Sequence, residues 1–193
     1  MEINQLDKKE TSTKKEFNAG PLGLIAFAMT TILLNLHNAG AFELNVMIAA
    51  MGFAFGGIAQ IIAGIFEAKH GKTFTGTAFI AFGSFWISLV FIWWNPFGLM
   101  AANGIAMGWY LLLWGFFTAF MFIGALKHNM ITRIIFGTLI LLFLMLAIGD
   151  FTGVKEVTIT AGVIGIICGL SAFYSAVGQI VNGEYNKKIF PLM

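Results

Sequence analysis

Formal charge is what this 193-residue sequence has least of: Asp, Glu, Lys and Arg make up 10% of it, against about 25% in an ordinary soluble domain. With 59% hydrophobic residues and a mean hydropathy of +0.87, that scarcity excludes a water-solvated globule and leaves the lipid bilayer as the solvent. A lone cysteine, Cys168, excludes an intrachain disulfide. Lying inside an apolar run, it reads as a small packing residue and says nothing about redox compartment. His37, His70 and His128 all stand at the ends of apolar runs without metal-ligand spacing, so no metal site is expected. None of them follows Gly169-Leu170-Ser171, which leaves that serine without a histidine for a dyad. No enzyme activity, cofactor or nucleic-acid surface is expected, and the net charge of +2 comes from tails and loops that suit anionic lipid heads. Signal-peptide features are missing too, because the polar residues 1–16 are followed by an apolar run with no small-residue cleavage pattern.

What the sequence does have is six apolar runs, at roughly 21–37, 46–67, 74–94, 107–126, 131–148 and 157–181. Each is near the ~20 residues that cross a hydrocarbon core as a helix. Their formal charges are Glu67 and Arg133, each close to a run's end. Lys8, Lys9, Lys14, Lys15, Lys69, Lys72, Lys127, Arg133, Lys187 and Lys188 would share one side of the bilayer, with Lys155 opposite. Since Lys and Arg collect on the cytoplasmic side of short loops, both termini are expected there. Trp93-Trp94 and Trp109-Tyr110 then fall at the outer interface, where amphipathic rings prefer to sit. The expected organisation is a polar cytoplasmic tail over 1–16, a six-helix transmembrane domain over 17–183 and a short cytoplasmic tail over 184–193.

Polar residues inside a bilayer are costly and are therefore candidates for function. Gly52, Gly56, Gln60, Ala63 and Glu67 follow steps of three and four along the second run and share a face. Glu67 reads equally as a lysine-paired interfacial carboxylate or as part of a substrate entrance. Gly162, Gly165, Gly169, Ala172 and Ala176 make a nearly flat face on the sixth run, continued by Gln179. Such faces let helices approach closely, and a path along the same face is the functional alternative. Gln179 either bonds a substrate carboxylate or ties two helices together. The first run ends in a polar cluster containing Thr30, Thr31, Asn35, His37 and Asn38. It reads as helix termination or as an outer vestibule for an anion. Thr73, Thr77, Ser84 and Ser88 lie near one face of the third run, although hydroxyls often bond their own preceding turn.

Several motifs together resemble one family. Asn18-Ala19-Gly20-Pro21-Leu22-Gly23-Leu24 is similar to the amino-terminal signature of the YaaH-type succinate/acetate permeases, or acetate uptake transporters, with Ala19 where that signature has proline. Gly56-Gly57-Ile58-Ala59-Gln60, Gly83-Ser84-Phe85-Trp86, Leu113-Trp114-Gly115 and Ile167-Cys168-Gly169 fit as well, so the resemblance covers the whole membrane region. It implies an all-α membrane protein of six helices per subunit, assembled as a homohexamer, each subunit with its own path for acetate and other small carboxylates. It also implies a constriction at Phe27, Phe82 and Leu139, where Phe82 lacks the hydroxyl of the family's tyrosine, and Gln179 stands where a glutamate is expected in bacterial relatives. Phe82 is about 160° around its helix from Ser84, so the hydroxyl stripe and Phe82 cannot face one narrow path. The family pattern favours Phe82 as the residue that faces it.

The expected function is transport of acetate and related small carboxylates across the cytoplasmic (inner) membrane, linked to protons. The expected path holds Thr31, Asn35, Asn38, Gln60, Glu67, Ala172 and Gln179 on either side of the constriction. An acetate-selective anion channel, a non-transporting membrane sensor or scaffold, and an ammonia exporter are the alternatives. The expected partners are the carboxylate, the lipid bilayer and further copies of the chain.

Overall fold

The computed structural model describes residues 17–192; the tail expected over 1–16 lies outside the described residues. Among the described residues, six helices are long and apolar enough to cross a membrane: α1 (Gly20–Asn38), α2 (Val46–Lys69), α3 (Thr73–Trp94), α4 (Gly104–Ala125), α5 (Met130–Thr152) and α6 (Lys155–Tyr185).

Short polar side chains set the ends. Asn45, Asn103 and Asn129 precede α2, α4 and α5, and each Oδ1 accepts a backbone N–H of the first turn, which satisfies donors the helix leaves open. Pro21 opens α1, where its missing N–H costs nothing. Asn95, Gly153 and Asn186 end α3, α5 and α6 in the left-handed conformation that stops a helix. These caps move several boundaries beyond the apolar runs. At 31 residues and about 46 Å, α6 is longer than the hydrocarbon core is thick, and its charged ends Lys155 and Glu184 are exposed.

The helices form a ring in which α1 packs against both α2 and α6, α2 against α3, and α5 against both α4 and α6. Two packing styles divide this ring. Along the α1–α6 contact, a Cβ placed on Gly169 would fall 2.6 Å from Ile32 Cγ1 and 3.1 Å from the Ala28 carbonyl oxygen. Gly165 lies against the Asn35 side chain and Gly162 against the backbone of Asn38 and Ala39. Ala172 and Ala176 are fully buried. The small face therefore brings two backbones together, as small-xxx-small faces do. Across the bundle the α3–α4 contact is sparse in backbone approach and is closed by rings: Phe85 meets Trp114 at 5.3 Å, and Phe82 meets Phe117 at 5.6 Å. Phe85 also meets Phe143 of α5 edge-on at 5.2 Å.

One feature the apolar periodicity did not announce is a π-helical stretch, Gly52–Ala59, inside α2. Its wider i→i+5 turns are uncommon and concentrate at functional sites. Here three glycines make room for neighbours: Gly52 and Gly56 face Trp86, Gly56 also faces Thr30, and Gly57 faces Ile87. On the outside, Ile105, Trp109, Leu113, Phe116, Phe120 and Ile123 recur every three or four residues of α4 and are all exposed, an apolar stripe that lipid or another copy must cover.

Gly169→Leu should separate α6 from α1 and destabilise the folded protein by about 1–3 kcal/mol or more, the range for overpacking. Gly137→Ala, whose Cβ would meet Phe122 at an ordinary 3.7 Å, should change stability by under about 1 kcal/mol. Thermal unfolding in detergent compares the two.

Candidate functional site

Between α1, α3 and α5 lies a cavity of about 330 Å³ that opens at the lysine-bearing end of the bundle. Its inner wall is apolar apart from Gln60. Phe27, Phe82 and Leu139, one from each of those helices, are buried and line it with Ala78, Phe79, Ile135 and Phe136. The rings of Phe27 and Phe82 are 6.1 Å apart, and Phe82 is 6.2 Å from Phe136. Phe82 thus faces the cavity, whereas Ser84 is exposed and donates to its own helix at the Ile80 carbonyl, 2.8 Å away. Ser88 is drawn to Tyr110 at 2.6 Å, which ties α3 to α4.

The mouth is polar. Glu67, 2% exposed, receives Lys72 Nζ on Oε1 at 3.1 Å and the Thr75 hydroxyl on Oε2 at 2.8 Å. The Lys72 side chain is half in solvent, so the ion pair is buried on its acidic side only. A Cβ added to Gly20 would lie 3.3 Å from Asn18 Oδ1, 3.7 Å from Gln179 Oε1 and 3.8 Å from Glu67 Oε2. Three side-chain oxygens therefore surround one point at the start of α1. Gln179 is steadied by a 3.3 Å bond from its Nε2 to Ser175 Oγ. The N-terminal ends of α1 and α5 both contribute to the pocket, through Gly20 and through Asn129 and Thr132, and helix N-termini carry partial positive charge. His128 lies there too, stacked on Phe74 with ring centres 4.5 Å apart. Deeper on the wall, Gln60 is buried with its Oε1 unpartnered.

Of the residues expected from the sequence, Phe27, Phe82, Leu139, Gln60, Glu67 and Gln179 come together on this one cavity. Thr31, Asn35, Asn38 and Ala172 do not line it. Asn35 is buried, donating from Nδ2 to the Thr31 carbonyl at 2.9 Å and accepting Asn38 Nδ2 at 3.1 Å. Thr31 Oγ1 and Trp86 Nε1 are also buried, with no protein partner. Asn18, Lys72, Thr75, Asn129, Thr132 and Leu192 line the cavity although no sequence signal assigned them to a path. Lys72 was legible only as a topological charge.

The profile of the GPR1/FUN34/yaaH family matches residues 3–191. The chain is 50% identical over 177 residues to a protein of Escherichia coli K12 named succinate-acetate/proton symporter SatP, covering 91% of this chain and 94% of that one. It is 38% identical over 176 residues to ammonia transport outward protein 2 of Saccharomyces cerevisiae, covering 86% of this chain and 62% of the yeast protein. Among solved structures, that of the bacterial acetate channel SatP superposes with a TM-score of 0.90 at 49% identity, over 93% of this chain and 100% of the other.

Asn35→Ala should lower stability by about 1–3 kcal/mol, because the buried Thr31 carbonyl loses a donor and the half-buried Asn38 amide its acceptor. If the Asn35 amide only bonds within α1 and packs against Gly165 of α6, protein of this variant that does assemble will match the parent in flux; a selective loss of flux at full assembly would return Asn35 to the path.

Proposed function

We propose, because the chain belongs to the GPR1/FUN34/yaaH family, that this multi-pass membrane protein carries acetate and related small carboxylates across the cytoplasmic membrane through the cavity at Phe27, Phe82 and Leu139, each acid moving with a proton. The observation that carries the proton link is Glu67, a buried carboxylate on the wall of the same cavity. A substrate anion beside Glu67 is repelled unless a proton is held between them or Lys72 offsets the charge, because neighbouring carboxylates resist ionising together. Lys72, Thr75 and two helix N-termini favour an acid at the mouth over ammonia or ammonium. Gln60 supplies one amide donor and one acceptor in either orientation, which matches the donor and acceptor of a neutral carboxylic acid.

In this reading Phe27, Phe82 and Leu139 are the narrowest point. Apolar side chains converging in a path exclude hydrated ions by resisting wetting, yet let a small dehydrated acid pass. Lysine placement supports an orientation with both termini and the cavity mouth in the cytoplasm, and with Asn35 and Asn38 toward the outside. The exposed stripe on α4 supports assembly of copies side by side, as the hexamer of the resemblance requires, with residues 17–183 as the permease unit between two short tails.

A second reading is an acetate-selective channel, favoured by the 49% identity to the solved bacterial acetate channel. Labelled-acetate uptake into proteoliposomes under separately imposed pH and voltage gradients discriminates them. Proton-linked transport accumulates acetate under a pH gradient and produces little net charge movement, whereas a channel follows voltage. Glu67→Gln should retain downhill acetate exchange while losing accumulation driven by pH; accumulation at the parental level would remove Glu67 from the coupling. For the constriction, Leu139→Ala should assemble and carry acids larger than acetate relatively faster. An unchanged ranking of acids at normal assembly would make Leu139 a packing residue, whose removal costs roughly 2–5 kcal/mol.

A further inference from the structure

We infer that the segment after α6 is a working part of this path, with Leu192 as an apolar flap at the cavity mouth that limits the rate and the size of the acids admitted. The inference rests on the carboxylate-transport reading of the same cavity. The chain leaves α6 through Asn186, whose φ of 48° turns it back. Asn182 then clamps the returning strand on both sides: its Nδ2 donates to the Phe190 carbonyl at 2.7 Å, and its Oδ1 accepts the backbone N–H of Ile189 at 2.8 Å and of Phe190 at 2.9 Å. About two turns up the helix, the Tyr174 hydroxyl donates to the Pro191 carbonyl at 3.1 Å, and the Tyr174 ring meets Phe190 edge-on at 5.9 Å.

These anchors lie outside the cavity, while the tip they hold lies on it. Leu192 lines the cavity together with Gln179 and packs, half-buried, against the main apolar core. Gly178 makes the docking possible, since a Cβ there would fall 2.7 Å from Leu192 Cδ2 and 3.2 Å from Phe190 Cβ. At this end Asn18, Glu67 and Gln179 present side-chain oxygen to the start of α1. A leucine among them offers an entering acid no hydrogen bond and occupies room at the mouth. Pro191 before it restricts the strand to an extended course, so the tip swings with the strand rather than folding away. An asparagine clamp, a glycine seat and an apolar tip form a latched lever whose release widens the entrance.

Uptake of labelled acetate, propionate and lactate into proteoliposomes tests this with the full chain and with Leu192→Ala and Asn182→Ala, each checked for assembly by size exclusion. Both substitutions should raise acetate flux several-fold and raise lactate relatively more. In Leu192→Cys, alkylation by maleimides of increasing size should lower flux in step with size, with the unsubstituted chain and its buried Cys168 as the background control. If the substituted chains fail to assemble, alkylation of folded Leu192→Cys decides alone. Parental rate and parental acid ranking in fully alkylated Leu192→Cys would overturn the flap. If the unsubstituted chain carries no acetate, the transport reading fails by itself; the latch is then judged by whether Asn182→Ala speeds labelling of Leu192→Cys several-fold, and an unchanged labelling rate overturns it.

Discussion

The close approach of α1 to α6 is the constraint on which the rest of the bundle depends. Gly162, Gly165 and Gly169 leave no side chain between the two backbones, and in a bilayer that packing supplies what the hydrophobic effect supplies in water. With one face of α1 pressed against α6, Phe27 meets the Phe82 ring of α3. The opposite side of the ring is held apart by Phe85, Trp114, Phe117 and Phe143. Thin contacts on one side and thick ones on the other leave the space between α1, α3 and α5 unfilled, and that space is the cavity.

Polar groups in this setting are either spent on the fold or collected at the cavity. Thr30, Thr118, Thr138 and Ser171 return their hydroxyls to carbonyls of their own helices, and Asn35 ties Asn38 to the end of α1. Glu67, Lys72 and Thr75 form a bonded set at the cavity mouth instead. A buried carboxylate with one half-exposed cationic partner is expensive to keep as mere structure, since replacing such pairs by apolar residues is often neutral or stabilising. Its position on the wall of the cavity is what the proposed proton link rests on. The division also explains why hydroxyls counted along α3 were a poor guide: Ser84 is bonded within its helix and faces away from Phe82.

How much of this was legible before the structure depended on how local each signal was. Apolar run length and the lysine pattern mark six crossings, and α1 to α6 follow them to within a few residues. The larger shifts occur where an asparagine cap or a polar turn extends a helix past its apolar stretch, as at Gly104 and Thr152. The flat face of α6 was readable because a three-and-four spacing of small residues has one geometric meaning. The π-helical stretch was not, because Gly52–Ala59 is equally compatible with an ordinary helix until Trp86 and Thr30 are set against it.

The sequence by itself determined that this chain is a membrane protein with six runs long and apolar enough to cross a bilayer as helices, and that it belongs to the GPR1/FUN34/yaaH family, because hydropathy and motif are properties of residues in a row. Tertiary structure alone decided that Gln60, Glu67 and Gln179 share one cavity with Phe27, Phe82 and Leu139 while Asn35 and Ala172 do not line it. It also decided that Leu192, distant in sequence from most of that wall, returns to it. Neither outcome is encoded in spacing along one helix. The first depends on how closely α1 and α6 approach and how the rings hold α3 from α4, the second on the Asn182 clamp and the Gly178 seat that bring the chain back.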